Sequence, residues 1–384
     1  MTGALRDLRD RLSAELPAAV ALRHDVHRHP DLSGDEAGTL ARVLEALPGA
    51  AASRPVAGTG AVLRIGGAGR TVAVRAELDA LPVDEDAGLP WASQRPGVMH
   101  ACGHDVHLAA LVALARTVAA AEGPSPLLVV LQPREERAPS GAYDIAVSGL
   151  LEQEQVCAAV GAHVQPALPV GTVACTAGPV NASNDEFTVV IEGEGGHAAY
   201  PHRTSDPVVA LAQVVLGLQS VVSRRTDPLT PAVISVTMLD AGRAVNVIPA
   251  RATAQGTLRV LDPRTRSSVR TAMRDTVSSI ARAHGCEGRL EVREGEPALV
   301  NDAPLAHRAG ALLHQLGCAV DADHRSMGSD DFAHFSERLP SLMMFVGTGG
   351  AQLHTPGFAP SDDDVGGVAQ ALLAGYLAAA ASST

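Results

Sequence analysis

The chain has 384 residues, of which 46% are hydrophobic and 19% are charged; this length favours two domains, and this composition excludes a disordered chain. All 30 basic residues are Arg, and the net charge of −12 argues against a protein that binds nucleic acid or an anionic membrane surface. The five widely spaced cysteines argue against a disulfide framework and predict a reduced, cytoplasmic protein.

The first 20 residues distribute charges through an amphipathic pattern and lack the unbroken apolar core of a signal peptide. No apolar stretch approaches the length of a membrane span, so we expect no membrane segment.

Up to about residue 180, short apolar strands alternate with helices. Val-rich strands are predicted over 71–78, 126–133 and 158–164, and a helix over 107–121. This alternation is typical of an α/β domain with a mixed, largely parallel sheet. The functional groups of such sheets gather in the loops that follow the carboxyl ends of the strands.

From Asn181 the pattern changes to a β-α-β-β-α-β order, which is typical of an α+β, ferredoxin-like unit. The predicted elements are a strand at 184–193, a helix at 206–223, strands near 231–239 and 251–260, a helix at 264–284 and a strand near 289–293. The apolar strand within 340–350 and the closing helix resemble the first domain again. We therefore predict a discontinuous first domain (1–180 and 297–384) that carries an inserted satellite domain (181–296).

The stretch MHACGHDVH (99–107) concentrates potential metal ligands before an apolar helix. Cys102 and His104 form a C-x-H pair that can place two ligands on one transition-metal ion. His107 lies three residues further on and can share a helix face with His104. The alternative is an ordinary helix start with histidines near the cap and Asp105 favouring the helix dipole.

Three more segments after apolar strands carry candidate ligands. Glu135 and Glu136 follow the strand that ends near Gln132, His163 closes the next strand, and His354 lies in a Gly-rich loop. Adjacent glutamates are usually a solvated pair, and a lone His at a strand end is more often structural. Because all these positions follow strands of one sheet, together they offer enough ligands for two metal ions that share a bridge.

The chain resembles the M20 metallopeptidase family, in its aminoacylase-like amidohydrolase branch, which includes hippurate, auxin-conjugate and N-acyl-amino-acid hydrolases. The matching motifs are VHRHPDLSGDE (26–36), VRAELDALPVDE (74–85), MHACGHDVH (99–107), LQPREE (131–136), GAHVQP (161–166), GEGGHAAYPHRTSDPV (193–208), AVNVIP (244–249), GTLR (256–259), MGSDDF (327–332) and LHTPGFAPSDDD (353–364). The resemblance implies a zinc-peptidase-like catalytic domain with an inserted satellite domain.

The same resemblance assigns roles to individual residues. It implies that the metal ligands are Cys102, His104, Glu136, His163 and His354. Glu135 matches the general acid/base of the family, and Asp79 matches an acidic residue that orients a ligand. His107 lies in the motif but is not carried over as a ligand.

In the satellite domain, the resemblance implies that His197 holds the substrate and the developing oxyanion, often across a dimer interface. It implies that Asn246 binds the carboxylate or carbonyl of the substrate. Arg259 is a candidate for the anionic end of the substrate, although its strand position is equally compatible with a structural role. The family also implies a homodimer, or a higher homo-oligomer, formed through the satellite domain.

Three positions depart from the usual pattern of the branch. Glu77 replaces a shorter Asp, Arg134 replaces a small residue before the Glu pair, and Asp330 replaces a common Glu. The glycine run that normally follows the Glu pair is also incomplete. The replaced residues lie around the predicted site, and none of them is a predicted ligand or the base. We therefore expect them to affect which substrate is chosen.

We predict a metal-dependent amidohydrolase that cleaves the amide bond of N-acyl amino acids or related small amides, with Glu135 as general base. The expected cofactors are two divalent ions per subunit, Mn or Zn, with Co or Ni compatible with the ligands. One alternative is a dipeptidase or carboxypeptidase with the same metal centre. The other is a non-catalytic binding protein of the same fold.

Overall fold

The computed structural model of the protein describes residues 3–381. It contains ten α-helices: α1 (Gly3–Arg28), α2 (Ala37–Ala46), α3 (His104–Ala121), α4 (Gly141–Val147), α5 (Leu150–Gln153), α6 (Pro207–Arg225), α7 (Pro263–Ala283), α8 (Ala303–Leu316), α9 (Ala333–Ser336) and α10 (Asp363–Ala380). Two 3-10 turns cover Ala50–Ala52 and Pro201–Arg203.

The same residues form sixteen strands. They are β1 (Arg54–Val56), β2 (Gly60–Ile65), β3 (Thr71–Glu77), β4 (Leu127–Gln132), β5 (Val156–Gln165), β6 (Thr172–Ala174), β7 (Gly178–Asn181), β8 (Ser183–Glu192), β9 (Gly196–His197), β10 (Ala232–Ala241), β11 (Val247–Ile248), β12 (Arg251–Val260), β13 (Glu287–Glu294), β14 (Leu299–Asn301), β15 (Ala319–Asp321) and β16 (Ser341–Gly347).

The chain divides into two compact units. The first comprises the chain up to Gly178, Val300–His324 and the chain from Asp331; the second comprises Pro179–Leu299 and Arg325–Asp330. The predicted satellite, 181–296, lies within the second unit. We placed residues 179–180, 297–299 and 325–330 in the catalytic domain, but they belong to the second unit. The reason is backbone pairing, because Ser326 N–H donates to Val180 O (2.8 Å) and Ala182 N–H donates to Gly328 O (2.9 Å).

An eight-stranded sheet organises the first unit, with the strand order β1-β2-β4-β3-β5-β16-β6-β15. Its central strands β4, β3, β5 and β16 are parallel neighbours. Every residue of β3, β4 and β16 is buried, which explains why these strands are apolar along their whole length rather than alternating. Their carboxyl ends meet at one edge of the sheet, and the candidate ligands lie at this edge.

Helix α3 is the central helix of the first unit. It packs against α1, α10 and β3, and all but four of its 18 residues are buried, which accounts for its apolar sequence. The helix begins at His104 rather than at the predicted residue 107. Gly103 caps its start with a left-handed backbone (φ 82°), a conformation that glycine adopts without steric cost. A Cβ atom at this position would lie 2.5 Å from Val164 Cγ2, so the close approach of α3 to β5 requires glycine as well.

The second unit contains a four-stranded antiparallel sheet in the order β10-β12-β8-β13, with α6 and α7 packed against it. Along the chain, these elements give the predicted order β-α-β-β-α-β. Their apolar side chains form a core separate from that of the first unit, which includes Phe187, Leu211, Val214, Leu258 and Met273.

Helix α6 corrects one expectation. Among residues 3–381, it is the one helix that is long and apolar enough to cross a membrane by length and composition. The expectation that no stretch approaches that length was therefore wrong, because the only charges of the helix, Arg224 and Arg225, lie at its end. Its buried residues, which include Leu211, Val214 and Leu218, belong to the core of the second unit, and a core helix meets the same criterion.

Candidate metal centre

Five predicted ligands lie together in the first unit. Cys102 and His104 flank Gly103, whose left-handed turn separates the entry to α3 from the preceding loop. Both side chains are buried. The C-x-H pair is therefore held at the start of a buried helix, where the backbone has little freedom to move.

The other three ligands come from segments at the carboxyl ends of parallel strands. Glu136 follows β4, His163 lies near the end of β5, and His354 lies in the loop after β16. His354 has a left-handed backbone (φ 62°), and its N–H donates to Ala101 O (2.8 Å). This bond ties the loop of His354 to the segment that carries Cys102.

The donor atoms of these side chains converge. Cys102 Sγ lies 3.3 Å from His163 Nε2 and 3.4 Å from His354 Nε2, and His354 Nε2 lies 3.2 Å from Glu136 Oε1. Ligand atoms of Cys102, His104 and Glu136 all lie within 4.8 Å of one another. Ligands at about 2.0–2.3 Å from one tetrahedral ion are separated by similar distances, so the cluster has the dimensions of a metal site.

Two further observations show that these residues fit a divalent cation. His104 Nε2 is buried and has no hydrogen-bond partner among residues 3–381. Burial lowers the pKa of His104, but the carboxylates of Glu77 and Asp79 outweigh it and raise this pKa to about 10. Burial and the nearby carboxylate of Glu136 raise the pKa of the Cys102 thiol well above its usual value. The carboxylates around the site thus make its electrostatic potential negative, and a bound cation would neutralise that charge.

Asp79 links two of the ligand segments. His104 Nδ1 lies 2.8 Å from the backbone oxygen of Asp79 and 3.5 Å from its Oδ1. Asp79 Oδ2 accepts hydrogen bonds from Glu136 N–H (2.9 Å) and from Ser33 Oγ (2.7 Å). With Nδ1 of His104 engaged, the ring directs Nε2 toward the other ligands, as the partners behind a metal-bound histidine do.

His107 lies beside the cluster, but both of its ring nitrogens are used. Val164 N–H donates to His107 Nε2 (3.0 Å), so His107 Nδ1 carries the proton and donates to Glu77 Oε2 (2.9 Å). The ring therefore has no lone pair left for a metal, although ligand atoms of Glu77, His104, His107 and His163 lie within 4.8 Å of one another.

Sequence reasoning missed a buried polar network behind these residues. Arg75, in β3, forms an ion pair with Glu77 and donates to Gln132 Oε1 (2.7 Å) and Asp331 Oδ1 (2.6 Å). Gln132 Nε2 in turn donates to Asp331 Oδ2 (2.7 Å). The signal in the sequence was a pair of charged residues inside a strand that is otherwise apolar, since buried charges require partners.

A second missed network joins α1 to the start of α3. The Arg23 side chain is completely buried; its Nε donates to Asp105 Oδ2 (3.1 Å), and NH2 donates to Pro360 O (2.6 Å). Its guanidinium also lies 4.6 Å from the ring centroid of Trp91. Although burial lowers the pKa of His27, its interactions with Asp105 dominate and raise this pKa to about 9. The network anchors the start of α3, which carries His104.

Glu135, the predicted base, lies in the same unit. Its side chain is 13% exposed, and its Oε2 lies 3.9 Å from His104 Nε2. The carboxylate is therefore close to the candidate ligands and still accessible to a small molecule.

The three predicted substrate-binding residues belong to the second unit. The short strands β9 and β11 pair His197 with Val247, and Ala198 N–H donates to Asn246 O (3.1 Å), so His197 and Asn246 lie close together. Arg259 NH1 donates to Met327 O (3.2 Å) and Ser329 Oγ (3.4 Å). Through these contacts Arg259 holds segment 325–330, and its role toward the substrate stays a prediction.

The profile of peptidase family M20/M25/M40 matches residues 73–375. The chain belongs to this family. The family expected from the motifs is thereby confirmed, and the similar proteins described next confirm the mixed α/β fold with a largely parallel sheet and the enzyme class, a hydrolase of amide bonds.

Individual members of the M20 family are similar to this chain over most of their length. N-acetylcysteine deacetylase of Bacillus subtilis is 36% identical over 352 residues, which cover 90% of this chain and 92% of that protein. N-acetyldiaminopimelate deacetylase of Exiguobacterium sibiricum is 33% identical, over 90% of this chain and 95% of its own. The solved structure of YXEP from Bacillus subtilis, described as a dinuclear metal-binding peptidase of the M20 family, has a TM-score of 0.84 and 30% identity, covering 97% of this chain and 99% of its own.

Proposed function

We propose that this M20 protein hydrolyses the amide bond of N-acyl amino acids or closely related small amides. The observation that carries the proposal is the position of Glu135 beside the convergent donor atoms of Cys102, His104 and Glu136. Two similar family members are named as deacetylases of N-acetylcysteine and N-acetyldiaminopimelate, which supports a small N-acylated substrate.

Five residues would hold two divalent cations, and they are Cys102, His104, Glu136, His163 and His354. Cations bound there would supply Lewis-acid polarisation of the substrate carbonyl and lower the pKa of water. The dinuclear description of the similar Bacillus subtilis structure supports two ions. Thiolate and imidazole donors suit Zn, Co and Ni, and the carboxylate also suits Mn. We propose Zn or Mn.

Glu135 performs the proton transfers. Its carboxylate removes a proton from the attacking water and delivers it to the leaving amine. Glu136 is adjacent in sequence but serves as a ligand, and a carboxylate bound to a cation is a poor proton acceptor. Within the second unit, His197 stabilises the developing oxyanion and Asn246 binds the substrate, roles that rest on the family resemblance.

We also propose a homodimer that forms through the second unit. Edge strand β10 exposes Val233, Met238 and Leu239, which are 41%, 61% and 64% exposed. The opposite edge strand, β13, is rich in charged residues (EGRLEVRE), which discourage pairing with another strand. Strand β10 carries a single charged residue, Asp240, near its end, and this edge next to exposed apolar side chains favours pairing with a second copy. The five cysteines form no disulfide, which supports a cytoplasmic location.

The experiment that tests the function compares matched substrates on the metal-loaded protein. Each N-acetyl amino acid is paired with the glycyl dipeptide that releases the same amino acid, so that only the acyl side differs. We expect kcat/KM to be at least about tenfold higher for the N-acetyl compound, a difference of about 1.4 kcal/mol in transition-state binding.

Faster hydrolysis of the dipeptides would contradict this proposal and support the dipeptidase alternative. Metal binding without turnover of either series would support the non-catalytic binding protein.

A further inference from the structure

The loop over residues 134–140 carries both active-site glutamates between β4 and α4. Its ends are closed by a backbone hydrogen bond, since Gly141 N–H donates to Arg134 O (3.1 Å). A Cβ atom at Gly141 would lie 1.9 Å from Pro133 O, so α4 begins in direct contact with the end of β4. The position of Glu135 therefore depends on how this closed loop is held.

The backbone of Arg134 is in a conformation that side chains disfavour. Its φ is 53°, in the left-handed region, where glycine is the usual residue. Its N–H donates to Glu36 Oε1 (2.9 Å), and Glu36 is fully buried. The same carboxylate also accepts from Gly34 N–H (2.8 Å) and from Thr59 Oγ1. A residue in this conformation persists only when its surroundings hold it.

The Arg134 guanidinium reaches three separate elements. NH1 donates to Pro139 O (2.8 Å) at the far end of the loop, and NH2 donates to Ala57 O (3.0 Å) in the turn between β1 and β2. NH2 also forms an ion pair with Asp144 Oδ2 (2.5 Å) in α4. The Arg134 side chain is 18% exposed and that of Asp144 is 39% exposed, so solvent partly screens the ion pair, and the guanidinium is held by all three contacts together. The planar fork of arginine can satisfy these acceptors together, which a small residue cannot do.

We propose that Arg134 is a positioning residue, whose guanidinium fixes the 134–140 loop and thereby holds the Glu135 carboxylate where it acts. This inference rests on the proposed function of Glu135. The arginine replaces the small residue expected before the Glu pair, so this chain holds the loop with a side chain. A displacement of about 1 Å in a reacting group can lower a rate by about 100-fold, so loss of the guanidinium has a measurable effect on kcat.

The test compares three variants with the wild type, all loaded with metal. R134M keeps an unbranched chain but removes the guanidinium. R134G also removes the guanidinium, and glycine adopts the left-handed backbone without strain. R134G therefore provides the test if R134M does not fold. R137M is the matched control, because Arg137 lies in the same loop, is exposed, and makes no hydrogen bond or ion pair among residues 3–381.

We expect R134M and R134G to lower kcat by about 10- to 100-fold while KM changes less than about twofold and bound metal is unchanged. Amide hydrogen exchange of residues 134–141 should become faster in both variants and stay as in the wild type in R137M. Retention of kcat within about twofold in R134G, or an equal loss in R137M, would overturn the proposal. If the wild type hydrolyses no N-acyl amino acid, the proposed function fails, and hydrogen exchange alone then decides whether Arg134 holds the loop.

Discussion

Replacing Glu135 with Gln lowers kcat by about 10²–10⁴-fold, the usual contribution of a positioned general base. Gln preserves the size of the side chain and its place in the loop, but its amide cannot accept the proton of the attacking water. Bound metal stays at the wild-type amount, because Glu135 is assigned no ligand role. The measurement is steady-state hydrolysis of an N-acetyl amino acid together with metal analysis of the same sample.

The neighbouring variant E136Q is the matched control. It makes the same chemical change one residue away, but we expect it to lose bound metal as well as activity, because Glu136 Oε1 is a proposed ligand. The assignment would be wrong if E135Q kept most of its activity, or if it lost as much metal as E136Q.

Replacing Arg75 with Met lowers the free energy of unfolding of the first unit by about 3–5 kcal/mol, the usual cost of removing one partner of a buried ion pair. Arg75 is 3% exposed, and its partners Glu77 and Asp331 are equally buried. Met preserves much of the apolar stem of Arg. The two carboxylates, however, lose the positive charge between them and cannot reach water.

Unfolding of the first unit can be followed by fluorescence, because Trp91 is the only tryptophan of the chain, lies in this unit and is buried. Urea titration of R75M is compared with R70M, which removes an exposed arginine just before the same strand. R70M should change the free energy of unfolding by less than about 0.5 kcal/mol. A decrease of less than about 1 kcal/mol for R75M would show that the buried network does not stabilise the unit in this way.

The sequence allowed the main elements and the ligand cluster to be predicted because their signals are local. The apolar stretches over 71–78 and 126–133 correspond to strands Thr71–Glu77 and Leu127–Gln132, which are buried throughout. Glu136, His163 and His354 lie in short motifs at the ends of such strands, and Cys102 and His104 lie in a motif at the start of the buried helix α3. The carboxyl ends of parallel neighbours meet at one edge, so these motifs come together once the sheet forms.

The supporting networks were not predictable, because their partners are far apart in the chain. Arg75 pairs with Asp331 across 256 positions, and Arg23 reaches Pro360 across 337. Only the fold reveals that these groups are neighbours. The same holds for segment 325–330, whose place in the second unit depends on hydrogen bonds to Val180 and Ala182.

The most direct test of the proposed centre is metal reconstitution. The purified protein is stripped with a chelator, dialysed against Zn or Mn, and analysed for both bound metal and hydrolysis of an N-acetyl amino acid. We expect about two ions per chain, loss of hydrolysis on stripping, and recovery as the ions return. The double variant C102A/H163A should bind fewer ions than the wild type. Unchanged hydrolysis after the metal is removed, or equal metal binding by the double variant, would contradict the assignment of this centre.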